Sequence, residues 1–222
     1  RAAHSLLKVV TSDLESLSSA SDAAMLPAHL RAASASLQKN VVPSEWSCDW
    51  IDIDDNVEGW LEECFERTAA LDSLSVRVRD HSVLTSQPLP LFATMKPGAF
   101  VSALMQTAVR MKKTEMNSIK LVATFDRPAD GSLISLNICD IMIQSASTKN
   151  GVLTTSETSN SDVENIDKVY LCICDKNEKI ADDIIEVPIF ESLSREKLVA
   201  KAEVPVDKKR KSQVILASAA LV

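Results

Sequence analysis

The sequence predicts an α+β protein, with a helical part over residues 1–114 and a small antiparallel β-barrel of about six strands over residues 115–222. Three observations carry that expectation. Apolar residues recur every three or four positions in the first half and every two in the second, the periods of a helix face and a strand face. The links between the second-half apolar runs are mostly short and carry no helical pattern, and parallel crossovers need longer ones. Several of those runs are apolar at consecutive positions, which suits a sheet closed around a core and covered on its outside as well.

Leu6, Val10, Leu14 and Leu17 share one helical stripe. A Ser/Ala-rich turn over 18–24 separates them from Leu30, Ala33 and Leu37, which follow Pro27, a residue suited to a helix start. The strongest pattern begins near Asp55. Val57, Trp60, Leu61, Cys64, Phe65, Thr68 and Leu71 have the spacing of a buried helix face. Asp55 with Glu58 resembles a capping box, in which a side chain accepts an orphan N–H of the first turn. That helix is expected to end between Leu74 and Asp80. Gln87-Pro88-Leu89-Pro90 cannot be helix interior, because each proline removes a donor and restrains its predecessor. Pro97 starts another helix, with Phe100, Ala103, Leu104, Ala108 and Met111 as its expected buried face. Arg110, Lys112 and Lys113 crowd its C-terminal end, where the helix dipole favours cations.

In the second half Ile119, Leu121, Ala123 and Phe125 alternate with Lys120, Thr124 and Asp126. Leu198, Ala200, Ala202, Val204 and Val206 alternate with Lys201 and Glu203. Further strand-like runs lie at 133–145, 152–154, 169–174, 184–190 and 214–222. Ile134, Leu136 and Ile138 keep even phase, whereas Ile141 and Ile143 keep odd phase. The buried face therefore flips near Cys139-Asp140, which predicts a bulge or corner there.

Composition narrows the function. The chain has 222 residues, 24 basic against 31 acidic side chains and a net charge of −7, spread evenly along its length. That balance argues against a general binder of nucleic acid or anionic membrane. Its four glycines, Gly59, Gly98, Gly131 and Gly151, lie far apart. Both glycine-rich phosphate loops are thereby excluded, since each needs clustered glycines to bring backbone N–H groups to phosphate. No apolar run approaches the roughly 18 residues of a membrane span. Five cysteines, an odd number in a chain long enough to have a core, point to reduced thiols and a cytosolic compartment. The opening Arg-Ala-Ala, without Met, reads as part of a longer protein.

No constellation carries enzyme chemistry. Cys172 and Cys174 share one face of a strand, but no second pair follows at zinc spacing, and His4, His29 and His81 lie far upstream. Asp52, Asp54, Asn56 and Glu63 take positions 1, 3, 5 and 12 of a calcium loop; Val57 occupies position 6, where glycine is required. No G-x-S-x-G elbow is present. Lys208, Lys209, Arg210 and Lys211 read as a solvated loop between strands. Trp46, Trp50 and Trp60 read as core or interface anchors, because nothing basic interleaves them. The reading is thus of no catalytic, cofactor-binding or metal-binding residue.

Several segments in order resemble the C-terminal region of dynein heavy chains. Met95-Lys96-Pro97-Gly98-Ala99-Phe100-Val101-Ser102-Ala103-Leu104-Met105-Gln106-Thr107-Ala108-Val109-Arg110 is similar to that family's helix entry, F-x-P-x-A-F-L-x-A-x-x-Q-x-x-A-R. Ser118-Ile119-Lys120-Leu121 stands where the family leads into its first strand. The run 138–147 resembles its G-L-x-L-E-G-A strand, and Gly151-Val152-Leu153 the turn that follows. Val187-Pro188-Ile189-Phe190 with Arg195 resembles L-P-V-Y-x-x-x-x-R, and Val204-Pro205 with 215–222 resembles the family's ending. The sequence departs at Ser145 and Ser218, which replace glycines, at Thr148, which replaces an aromatic residue, and at Val214, near the place of a tryptophan. The paired tryptophans of Ser44-Glu45-Trp46-Ser47-Cys48-Asp49-Trp50, ahead of an acidic helix, resemble the cytoplasmic dynein of intraflagellar transport.

The resemblance implies a non-catalytic module packed on the AAA ATPase ring of its own heavy chain. It would modulate a minus-end-directed microtubule motor of retrograde intraflagellar transport, in the cytoplasm and cilium. ATP and Mg would be bound in the parent's AAA modules and no cofactor in this stretch. Other dynein subunits and microtubules would be reached through the parent, with no nucleic acid and no membrane. A stand-alone β-barrel adaptor or small-ligand-binding protein is the alternative reading.

Overall fold

Three helices open the fold: α1 (Ala2–Ser19), α2 (Ala28–Gln38) and α3 (Val57–Arg79). The computed structural model describes residues 2–22, 25–47, 56–80, 88–94, 96–144, 146–154, 163–166, 168–192, 194–207 and 218–221. By its internal contacts the protein forms two units, 1–73 and 74–222, divided within α3. The change from helix to strand near residue 114 falls inside the second unit, where the last helix packs with the sheet.

In the first unit Val10, Val42, Trp46, Trp60 and Cys64 form the core, with Leu6, Leu7, Leu14 and Leu37 packed around it. Helix α2 ends in a left-handed turn at Asn40 (φ 56°). The Asn40 N–H donates to the Leu37 carbonyl and the Val41 N–H to that of Ser36, the two bonds that close a Schellman motif. The Asn40 side chain also accepts from the Val57 N–H at 3.2 Å. Helix α3 is capped by Asn56, whose Oδ1 accepts from the Gly59 N–H at 2.9 Å. The cap therefore lies one residue beyond the position expected from the Asp55–Glu58 pairing, and Gly59 stands at the reciprocal position. Asp55 lies outside the described residues.

The second unit begins with a two-residue strand, β1 (Leu89–Pro90), and helix α4 (Pro97–Lys112). Pro97 opens α4 as expected, and Lys113 closes it in the left-handed conformation (φ 54°). Its inner face is rotated from the expected one. Pro97, Val101 and Ala108 are buried, whereas Ala103 is exposed and Met111 is 67% exposed. The cause is β10 (Leu198–Pro205), which approaches so closely that a Cβ built on Gly98 would stand 3.3 Å from the Val199 carbonyl oxygen. That contact selects the face shared by residues 97, 98, 101 and 105.

The remaining strands are β2 (Ile119–Thr124), β3 (Ile134–Cys139), β4 (Ile141–Gln144), β5 (Ser147–Lys149), β6 (Val152–Thr154), β7 (Val163–Ile166), β8 (Val169–Asp175), β9 (Ile184–Phe190) and β11 (Ser218–Leu221). Nine strands form one sheet in the order β1-β3-β8-β2-β10-β9-β11-β4-β7; β5 and β6 make a separate hairpin. The α+β class holds, with two corrections. The expected closed barrel of about six strands is instead a larger ladder, open among the described residues, that ends on β1 and β7. Three of its pairings, β1–β3, β2–β10 and β9–β11, are parallel. Short links forbid parallel pairing only between consecutive strands, and these partners are not consecutive.

One continuous stretch of backbone ties the two arms of the sheet together. Residues 134–144 pair with β8 through β3 and with β11 through β4. Asp140 stands between the halves with φ 57°, the corner that the phase flip predicts. One added residue keeps Ile134, Leu136, Ile138, Ile141 and Ile143 all in the same core. The outer face is covered where β2 meets β8, by Ala129 and Ile180 over Val122, Cys172 and Cys174. No helix among the described residues is long and apolar enough to cross a membrane.

Candidate functional site

Among the described residues, the cysteines, Asn56, Glu63 and the two tryptophans that could carry chemistry are engaged in packing, capping or pairing. Cys172 is fully buried, and its sulfur accepts from the Ala129 N–H at 3.3 Å. Burial and the neighbouring Cys172 push the Cys174 thiol up to about 11. Burial, then a hydrogen bond donated to Asp140 at 2.9 Å, pushes Cys139 up to about 12. Both therefore remain thiols at neutral pH, whereas a nucleophile or metal ligand must be a thiolate.

Of the calcium-loop candidates, Asn56 caps α3 and Glu63 pairs with Arg67 at 2.6 Å. Asp52 and Asp54 lie outside the described residues. No group of three or more His, Cys, Asp or Glu suited to a metal occurs among the described residues. His4 and His29 are exposed; His81 and the basic run 208–211 lie outside the described residues.

Trp46 and Trp60 meet each other rather than a ligand. Their rings stack at 5.9 Å and 25°, both fully buried, and the Trp46 indole N–H donates to Asp13 at 2.9 Å. Trp50 lies outside the described residues.

The cavities are equally restrictive. The sheet core holds an apolar void of about 20 Å³ lined by Ile138, Ile141, Leu171, Val204 and neighbours. Small-molecule sites run to roughly 300–1,000 Å³, so this void is a packing defect and no ligand chamber. A polar groove of about 300 Å³ lies between the loops around Asp126, Gly151 and Lys179. Both of its cations are paired, Arg127 with Asp130 at 3.6 Å and Lys179 with Asp182 at 2.6 Å. Nothing in the groove converges on a single reacting atom.

What remains is surface held by a rigid frame. Lys112 at the end of α4 pairs with Asp175 at the end of β8 and, with the Asn177 N–H, holds that carboxyl below its ordinary range. Lys120 and Glu203 pair at 2.7 Å across β2 and β10. A few large apolar side chains face solvent, Phe65 in the first unit and Val76, Val78, Met111 and Leu198 in the second. Sequence periodicity places Phe65 on the buried face of α3, yet it is 52% exposed. The buried residues are Trp60, Cys64 and Thr68, one narrow stripe, and Phe65 lies about 100° around the helix from Cys64. Such an arrangement can bind another surface.

Comparison with known proteins accords with that geometry. The family described as the C-terminal domain of the dynein heavy chain matches residues 1–222. The protein belongs to this family. Cytoplasmic dynein 2 heavy chain 1 of Tripneustes gratilla is 24% identical over 204 residues, 90% of this chain and 5% of that protein. The mouse protein of the same name is 22% identical over 184 residues, 82% of this chain and 4% of the relative. Dynein heavy chain, cytoplasmic, of Dictyostelium discoideum is 21% identical over 215 residues, 94% of this chain and 4% of the relative. This dynein C-terminal domain thus spans only 4–5% of the length of these relatives.

Proposed function

We propose that this domain is the non-catalytic C-terminal module of a cytoplasmic dynein heavy chain of the intraflagellar-transport type. It packs on the AAA ring of its own heavy chain and adjusts the mechanics of a minus-end-directed microtubule motor. The observation that carries the reading is the family match over residues 1–222, together with relatives named cytoplasmic dynein 2 heavy chain 1. ATP and Mg belong to the AAA modules of the parent, with microtubules and other dynein subunits reached through it, in the cytoplasm and cilium.

A module of this kind acts only if its contacts differ in free energy between ring conformations. A difference of about 1–3 kcal/mol shifts the balance of two states by about 5–150-fold, enough to alter how the motor responds to load.

The ciliary part of the reading is tested by replacing the native heavy chain in ciliated cells with one lacking residues 1–222, at matched abundance. Retrograde train velocity should change while anterograde velocity holds. Unchanged retrograde movement, together with a defect confined to the cell body, would contradict it.

A further inference from the structure

Strands β5 and β6 form a hairpin of their own, paired at Ser147–Thr154, Thr148–Leu153 and Lys149–Val152. Two residues, Asn150 and Gly151, connect them. Both are left-handed, with φ 53° and 75°, as the tightest hairpin turn requires of its two central residues. The fold selects the identity of each. At the first position the short polar side chain of asparagine tolerates the left-handed region better than most. At the second, the Asp126 carboxylate occupies the space that a Cβ would need, so only glycine fits.

Asn-Gly is a chemically labile pair. The backbone nitrogen that follows an asparagine attacks that residue's own side-chain amide, and glycine, lacking a side chain, obstructs the attack least. The chain has eight asparagines, and only Asn150 precedes glycine. Asn40 and Asn56 accept backbone N–H groups through their side chains, and Asn137 is buried. Asn150 is exposed, and its side chain makes no hydrogen bond among the described residues. Reaction needs the turn to open, since Asn150 must rotate until the Gly151 nitrogen faces its Cγ. That opening is local: three residue pairs hold the hairpin, and Lys149 beside the turn is exposed.

We propose that Asn150 is a site of spontaneous deamidation that ends in isoaspartate and unseats the β5–β6 hairpin. The Gly151 nitrogen loses its proton to water and bonds to Asn150 Cγ. The Cγ–Nδ2 bond breaks, ammonia leaves and a succinimide ring results. Water then opens the ring at either carbonyl, giving aspartate or isoaspartate, and no oxidant or cofactor enters. Isoaspartate routes the main chain through the side chain and lengthens by one carbon a turn built for two residues. The new carboxylate also stands in the groove that Asp126 lines. The distortion passes to Leu153, which is buried in the sheet core and whose carbonyl accepts the Asp207 N–H at 3.2 Å just beyond β10.

The test holds the intact heavy chain for weeks at neutral pH and physiological temperature and maps its peptides by mass spectrometry. Isoaspartyl methyltransferase with a labelled methyl donor marks isoaspartate. The Asn150 peptide should turn from amide to acid at least about tenfold faster than the peptide holding Asn117, which is exposed and precedes serine. Most of that acid should carry the methyl label. Amide exchange at Val152–Thr154 should quicken in the aged chain while β2 and β8 keep their protection. An Asn150→Asp chain, which has the charge without the extra carbon, should keep the hairpin protected. An Asn150 peptide that stays an amide, conversion of Asn117 at the same rate, or acid without isoaspartate would overturn the proposal. So would isoaspartate at 150 with unchanged exchange at 152–154, or an Asn150→Asp chain that loosens as much as the aged one.

Discussion

Among the described residues, the core of the helical unit holds five, two of them tryptophans, whereas the main core of the sheet unit holds twenty-five, all aliphatic. In the sheet unit each side chain is one among many, and neighbours on several strands share the consequences of losing it. In the helical unit stability is concentrated in one stacked pair, Trp46 on Trp60, held by one buried carboxylate. The helical unit also carries the exposed Phe65. The contrast separates a core shared among many strands from one that depends on a few side chains.

The largest effect expected from a single substitution follows from that concentration. Trp60→Ala should cost about 3–5 kcal/mol, the usual range for removing a buried aromatic side chain. Hydrogen exchange read separately on α1–α3 and on β2, β8 and β10 should show loss of protection in the helices alone. Equal loss in both would mean that the two units do not differ as described.

A finer comparison sets the two indoles against each other. The Trp46 N–H satisfies Asp13, while Trp60 Nε1 is buried without an acceptor among the described residues. Trp46→Phe leaves Asp13 without its donor and should cost about 1–3 kcal/mol beyond the lost packing. Trp60→Phe removes an unsatisfied donor and should cost less. Denaturation midpoints of the two variants in the reverse order would contradict the hydrogen-bond account.

In the sheet unit the sensitive position is a backbone one. Asp140 adopts φ 57°, where a β-branched side chain is strained. Asp140→Val should cost roughly 1–2 kcal/mol and Asp140→Gly less. Equal unfolding midpoints for the two variants would show that the corner is not required in this form.

The smallest effect concerns pH. Lys112, then the Asn177 N–H, lowers the Asp175 carboxyl in the folded state. Its contribution is present above the unfolded value and disappears as pH falls through the lower folded value. Asp175→Asn should therefore reduce stability slightly at neutral pH and converge with the unsubstituted protein in acid. A gap between the two that widens below about pH 4, the ordinary aspartate range, would contradict the sign.

Much of this architecture is legible in the sequence, and the exceptions are instructive. Trp60, Cys64 and Thr68 declare α3, and the alternation from Ile119 to Ala123 declares β2, because one buried face leaves a period. The flip between Ile138 and Ile141 announces the corner at Asp140. Rotation of a helix is harder to read. Phe65 and Met111 continue apolar patterns, yet they face solvent, because the width of an apolar stripe does not say which part of it meets the partner. Leu89–Pro90 forms a strand too short to leave any period. The parallel neighbours β2 and β10 are far apart in sequence, so no local signal could pair them. For the candidate surface, the residue types were visible but their exposure was not.

The central proposal is that this domain alters the motor's mechanics through contacts. Its most direct test is an optical-trap comparison of the complete motor with one truncated before Arg1, with bulk ATP turnover measured on the same preparations. The account predicts that truncation changes stall force or run length while substantial ATP turnover survives. A stably folded truncated motor that loses turnover entirely, or that moves identically under load, would contradict it.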